Sequence, residues 1–312
     1  MYFPYLRGKQ FELISLRELS EIMSSKRDKI SPIIEPVKDS STLRSTLKEL
    51  IEKKINFNFI LNPRVGDFKN DYEPLIEILR ENIDGYENFQ LSIIVDKVTE
   101  QGIAELLEFT NQININHNGY TLIHNSEISE NSIDQINTIL EIKYNLIYFS
   151  KTSRRYYREF NQNTRVSLDD YFRKLDRNAD YLQVPVSDFS EEYKFYTDDN
   201  FVGFSDFLTI GDNYSESGFL PRAVAIHLSY IDQDKIKIRH FTSDSNQDSS
   251  DIGGKFAEAL QKLVSWCNES KIPETEGIKT FKDLHNRGHF PGLGSIKKIS
   301  TINHIELVIN NI

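Results

Sequence analysis

Six short apolar, β-branched runs recur along the first half of the chain at nearly constant spacing. They are Tyr2-Phe3-Pro4-Tyr5-Leu6, Ser31-Pro32-Ile33-Ile34-Glu35-Pro36, Phe57-Asn58-Phe59-Ile60-Leu61-Asn62-Pro63, Leu91-Ser92-Ile93-Ile94-Val95-Asp96-Lys97, Tyr120-Thr121-Leu122-Ile123-His124-Asn125 and Asn145-Leu146-Ile147-Tyr148-Phe149-Ser150. Their centres fall near positions 4, 34, 60, 94, 123 and 147, so successive gaps are 30, 26, 34, 29 and 24 residues. That pitch is what a strand, a loop, a helix and a second loop require. Apolar residues fill consecutive strand positions instead of alternating, as expected when both faces of a parallel sheet are buried. Strands alternating with helices imply right-handed parallel crossovers.

Helical patterns fill the gaps. Leu13, Leu16, Leu19 and Met23 recur at helical spacing after Arg7-Gly8-Lys9, and further helices are expected over 41–53, 71–82, 99–110 and 132–142. Ser40 or Ser41 suits the N-cap of the first of these. Past Ser150 the rhythm loosens, but Arg165-Val166-Ser167-Leu168 reads as a seventh strand and Phe201 to Phe207 as an eighth. Eight units close a TIM-barrel-like (β/α)8 fold. Ala223 to Tyr230 and Lys235 to Phe241 are two β-rich runs joined by too few residues for a parallel crossover, so they form an appended antiparallel hairpin. An amphipathic helix follows over Gly254 to Cys267, and Ile302 to Ile309 reads as a last strand. With no clear linker, 1–312 is expected to be one domain.

Composition narrows the class. A chain of 312 residues hides about 75% of the surface its unfolded form exposes, so it needs no covalent staples. One cysteine, Cys267, excludes a disulfide framework and fits a reducing compartment. The start lacks a basic segment followed by a long apolar one, and no apolar run approaches the roughly 20 residues that span a bilayer. A cytoplasmic protein with no membrane contact is expected. With 37 Lys+Arg against 47 Asp+Glu, net charge −10, overall charge does not favour coating nucleic acid.

The site signal lies at the strand ends, because parallel α/β folds carry chemistry where the C-terminal loops converge. Those ends are Arg7 and Lys9, Glu35, Asn62 and Arg64, Asp96 and Lys97, His124 and Asn125, Ser150 and Lys151, then Asp169, Asp170 and Asp206. If all face one mouth, Glu35, Asp96 and Asp206 are candidates to hold a divalent metal or to act as general acid and base. Arg7, Lys9 and Lys97 are candidates for binding a phosphate, with Asn62 and Asn125 beside them, and His124 for moving a proton. A polar residue at a strand terminus is equally the place where a chain meets water. The run Arg154-Arg155-Tyr156-Tyr157-Arg158 mixes cations with aromatics, which suits bases and phosphates but also a solvated helix start. His285 and His289 lie four apart, yet Gly288 and Pro291 argue for a loop and no third ligand is near. No dinucleotide, P-loop, serine-hydrolase or CxxC motif is present.

Several segments resemble the bacterial and phage "beta protein" family. They are Tyr2 to Lys9 with Glu12, Pro32 to Pro36, Arg177-Asn178-Ala179-Asp180-Tyr181, Gly203 to Phe207, and the hairpin with Ala223-Val224-Ala225-Ile226-His227 and Ile238-Arg239-His240-Phe241. The resemblance implies a TIM-barrel-like fold and a gene found in mobile or defence-associated loci beside a nuclease-like gene. Glu35, Asp206, His227, Arg239 and His240 carry over as motif positions without a catalytic assignment, and the last three are taken as candidate binding residues. Two functions follow. One is a phosphodiesterase-like or nuclease-like enzyme acting on a phosphorylated small molecule or nucleic acid at the mouth. The other is a non-catalytic partner that senses a phage or host product and controls a neighbouring effector.

Overall fold

The eight expected strands pair edge to edge, all in parallel, and the last closes on the first. This arrangement is seen in a computed structural model that describes residues 1–69, 73–83, 85–216 and 220–312. The barrel strands are β1 (Tyr2–Leu6), β2 (Ile33–Ile34), β3 (Phe57–Ile60), β4 (Phe89–Val95), β5 (Tyr120–His124), β6 (Ile142–Tyr148), β7 (Arg165–Asp169) and β9 (Gly203–Asp206). Closure pairs Tyr2 with Phe204, Phe3 with Ser205 and Pro4 with Asp206. The chain is thus an α/β protein with a TIM-barrel-like fold and an additional antiparallel sheet.

Crossover helices pack their predicted apolar stripes inward. In α3 (Ser41–Glu52) Leu43, Leu47 and Leu50 are buried, and the Ser40 hydroxyl accepts the Leu43 amide at 3.1 Å, capping the first turn. The helix expected over 71–82 is α4 (Glu73–Asn82), and its first two expected residues lie outside the described residues. The helix expected over 99–110 is two helices, α5 (Lys97–Gln101) and α6 (Ile103–Gln112), separated at Gly102. Glycine weakens a helix interior, so the break falls where backbone freedom is greatest. The next helix, α7 (Glu130–Ile139), starts earlier than expected because Ser129 caps it, and it stops before Ile142, which β6 pairs with Tyr120.

The contacts divide the chain into two compact units. The barrel unit comprises Met1–Leu13, Ser20–Asp169 and Phe195–Asp206. The second comprises Ile14–Leu19, Asp170–Lys194 and Phe207–Ile312. Its sheet contains the expected hairpin, β10 (Ala225–Asp232) and β11 (Lys235–Thr242), plus β8 (Val186–Ser190) paired antiparallel to β11. The hairpin turn is the two residues Gln233 and Asp234, both with positive φ (50° and 64°), the signature of a type I′ turn. One sheet face carries Val224, Ile226, Leu228 and Phe241. It packs on Phe256, Leu260 and Leu263 of α9 (Ile252–Ser270) and on Ile278 and Phe281 of α10 (Glu276–Arg287). Trp266, the single tryptophan, packs on the same cluster, with its ring 4.9 Å from that of Tyr230 and under the Arg239 guanidinium at 5.1 Å.

The expected last strand, Ile302–Ile309, is instead part of α11 (Leu293–Asn311). Every residue from Ser300 to Ile309 is buried, the polar Asn303, His304 and Glu306 included, so no exposed stripe marks the helix there and its closely spaced apolar residues imitate a strand. Asn303 donates to the Ser229 carbonyl at 2.9 Å, and the ring of His304 meets Phe189 at 4.9 Å, fixing α11 to β10 and β8. Among the described residues no helix is long and apolar enough to cross a membrane.

Candidate functional site

Side chains alternate between the two faces of a strand, and residues in parallel register share a face. Two contacts identify the interior. Thr121 on β5 donates to Asn58 on β3 at 2.6 Å, skipping β4, and the rings of Phe3 on β1 and Tyr144 on β6 meet at 4.9 Å although those strands are not neighbours. Carried round the ring through the registers, the inward set includes Phe3, Tyr5, Ile33, Asn58, Ile60, Ser92, Ile94, Thr121, Ile123, Leu146, Val166, Leu168 and Ser205. The alternation then continues inward to Glu35, Asp96 and Asn125 at the strand ends. His124 and Asp206 have the opposite parity and face outward. Of the four residues proposed for acid–base chemistry, two therefore converge and two do not.

The inward pair forms a hydrogen-bonded rim. Fully buried Glu35 accepts from the Tyr5 hydroxyl at 2.7 Å, from the Arg64 amide at 2.8 Å and from the Arg7 guanidinium, with which it forms an ion pair. The sharp turn after β1 depends on Gly8, at φ 63°, because a Cβ there would stand 2.7 Å from the Glu35 carbonyl oxygen. The Arg64 guanidinium meets Asp96 through two parallel 2.8 Å bonds and donates to the Thr99 hydroxyl at 2.7 Å. Asp96 also caps α5 by accepting the Thr99 amide at 2.9 Å. Burial pushes its carboxyl upward, but Arg64 and Thr99 together outweigh this and hold it below the ordinary aspartate value. Asn62 bridges β3 to β4 with its side-chain amide, donating to the Ile94 carbonyl at 2.9 Å and accepting its N–H at 2.8 Å. Asn125 accepts from Lys151 at 2.8 Å, and that ammonium lies 4.0 Å from the Tyr148 ring centre.

These bonds limit the chemistry. A carboxylate offers about four acceptor positions, and Glu35 has three filled by the protein's own donors. The two rim arginines are matched by two rim carboxylates. Lys97 is exposed in the first turn of α5 and pairs with Glu100 at 3.2 Å, and Lys9 lies in the turn between β1 and α1 (Gln10–Glu18).

The outward residues bond within the wall. His124 is buried between the Tyr156 hydroxyl, 2.9 Å from Nδ1, and the Asn145 side-chain oxygen, 3.0 Å from Nε2, with the Phe160 ring at 4.5 Å. Burial lowers its pKa to about 4, so at neutral pH it is an uncharged linker in the wall. Asp206 accepts from the Tyr2 hydroxyl at 2.9 Å; burial first, then that carboxylate, raises the tyrosine far above its usual value. Glu35, Asp96 and Asp206 do not form one ligand set. Among the described residues no three His, Cys, Asp or Glu side chains gather as a metal site.

The hairpin residues belong to the second unit. His227 and His240 are directly opposite in register, with Nδ1 atoms 2.8 Å apart, and His240 Nε2 lies 3.0 Å from the Ser187 hydroxyl. The Tyr181 ring packs on both, at 4.7 and 4.4 Å. Burial depresses His240 to about 4; burial and the neighbouring imidazole depress His227 well below its usual value. Arg239, one position away, faces the opposite side over Trp266, so the three do not share a surface. His285 lies in the last turn of α10, where a loop was expected, with its Nε2 2.8 Å from the Gln261 side chain, while His289 lies beyond the helix end at Arg287. The Cys267 thiol is buried in the helix–sheet core and pushed up to about 11 by burial.

Sequence reasoning missed Tyr5 and gave Arg64 no role. Tyr5 reads as one more apolar strand position, and only its parity, shared with Arg7, places the hydroxyl on Glu35. No family model matches the chain, nor does any curated protein or solved structure.

Proposed function

We propose that this chain is a non-catalytic recognition component of a bacterial or phage-borne defence locus, acting in the cytoplasm and controlling a nuclease-like product of a neighbouring gene. The resemblance to the beta protein family supports that setting. The observation that carries the non-catalytic reading is the state of the rim: both inward carboxylates are tied to arginines of the same chain. A general base needs a lone pair directed at its substrate and room to exchange a proton, and Glu35 spends three of its acceptor positions on Tyr5, Arg7 and Arg64. One feature favours the hydrolase alternative, namely that Arg7, Glu35, Arg64 and Asp96 lie at the barrel end where this fold carries chemistry.

The test uses purified full chain, with single-stranded DNA, RNA and bis(p-nitrophenyl) phosphate as substrates in Mg²⁺ or Mn²⁺. No turnover above buffer is expected, and the tagged chain should retain the neighbouring gene product on co-expression. Metal-dependent hydrolysis that disappears in a folded Glu35→Gln variant would replace this reading with the enzymatic one.

A further inference from the structure

We infer that the outer wall of the barrel carries a binding site for a small phosphate monoester of nucleotide size, held by Arg158 and Arg165. The site is separate from the rim and goes beyond the recognition role proposed above. A cavity of about 460 Å³ is lined by Tyr157, Arg158, Phe160, Asn161, Gln162, Arg165, Asp199 and Asn200. Ligand sites run from roughly 300 to 1,000 Å³, so the space suits a small organic phosphate and is large for a bare ion.

Arg165 is the central observation. It starts β7 with outward parity, is 5% exposed, and makes no side-chain hydrogen bond or ion pair among the described residues. Its Nε is buried without a partner. Charged groups so deeply buried are normally paired, because an unpaired one loses its hydration with nothing in return. What holds it is aromatic: the guanidinium carbon lies 5.4 Å from the Tyr157 ring centre and 5.9 Å from that of Phe201. The two rings pack on each other and on Phe149, forming an aromatic wall beside the cation.

Arg158 supplies the second cation. It sits in the short helical turn 156–159, exposed, with its guanidinium 5.8 Å from the same Tyr157 ring and no carboxylate partner among the described residues. Two arginines against the single Asp199 leave this lining at +1 in a chain of net charge −10. Guanidinium pairs recognise phosphate through parallel charge-assisted bonds. Asn161, Gln162 and Asn200 offer both donors and acceptors, and Asp199 accepts hydroxyl protons, so the remainder of the lining suits a sugar or base.

Calorimetric titration of the full chain with AMP, ribose 5-phosphate, inorganic phosphate and adenosine tests the site. Saturable binding of AMP or ribose 5-phosphate is expected, with inorganic phosphate weaker and adenosine not bound. Arg158→Ala should weaken the organic phosphate about tenfold or more, as loss of a charge-assisted contact does. Arg165→Met, which keeps the volume, should abolish saturation. If Arg165→Met does not fold, the exposed Arg158→Ala variant decides. The proposal is overturned if neither organic phosphate binds, if adenosine binds as well as AMP, or if Arg158→Ala leaves the affinity for the organic phosphate unchanged. None of these outcomes bears on retention of the neighbouring gene product, which tests the other reading separately.

Discussion

The inner rim and the outer wall of the same barrel treat arginine in opposite ways. At the rim, Arg7 and Arg64 each meet a carboxylate and the charge closes on itself. On the wall, Arg165 is more deeply buried than either, yet among the described residues it meets aromatic rings and no carboxylate partner. The difference separates two uses of a buried cation. One locks loops together at the end of a barrel; the other keeps binding capacity in reserve.

The largest expected effect tests the first use. Glu35→Ala leaves Arg7 beside a vacated, water-poor position, and removing one partner of a buried pair costs about 3–5 kcal/mol. Urea unfolding should show that loss, with much of it recovered when Arg7→Met is added. An unchanged midpoint would break the contrast at its strongest point. Next comes acid. His124 is held at about 4 against an ordinary 6.5, so the unfolded chain binds its proton first as pH falls. Stability is full above pH 6.5 and declines toward pH 4, by up to about 3 kcal/mol for this one group. His240, also depressed to about 4, adds to the same slope. Replacing His124 with Gln should flatten the pH dependence of the urea midpoint in that window.

Asp96→Ala removes both a helix cap and the Arg64 pair, for a loss of about 1–3 kcal/mol in the same assay. The smallest effect sharpens the second use. Arg165→Met should shift stability by less than about 1 kcal/mol despite its burial, because it orphans no bonded partner among the described residues and a methionine fills the same aromatic slot. A loss as large as that at Glu35 would show that the wall arginine is a structural pair in disguise.

The winding of the barrel was legible in the spacing of apolar runs, and the C-terminal loops were legible as the place to look. What could not be read was facing. Consecutive apolar residues such as Leu122 and Ile123 erase the alternation that would mark inside from outside. His124 and Asn125 then looked equivalent, although a step of one residue reverses a strand side chain. The same ambiguity hid α11, whose buried Ile302–Ile309 segment lacks the polar stripe that identifies a surface helix. Strand β8 escaped for the opposite reason, since Val186-Ser187-Asp188-Phe189-Ser190 is too polar to register as a core strand. Arg158 was visible within a basic–aromatic run, but its companion Arg165 lay in a strand where a cation is easily read as an edge.

The position of Trp266 has a practical consequence. With the only indole packed among Tyr230, Phe241 and Arg239 of the second unit, its emission reports the melting of that unit. Circular dichroism sees every helix at once. Coincident curves from the two optical probes would mean that 1–312 melts as one cooperative body, and separated curves would mean that it melts as two.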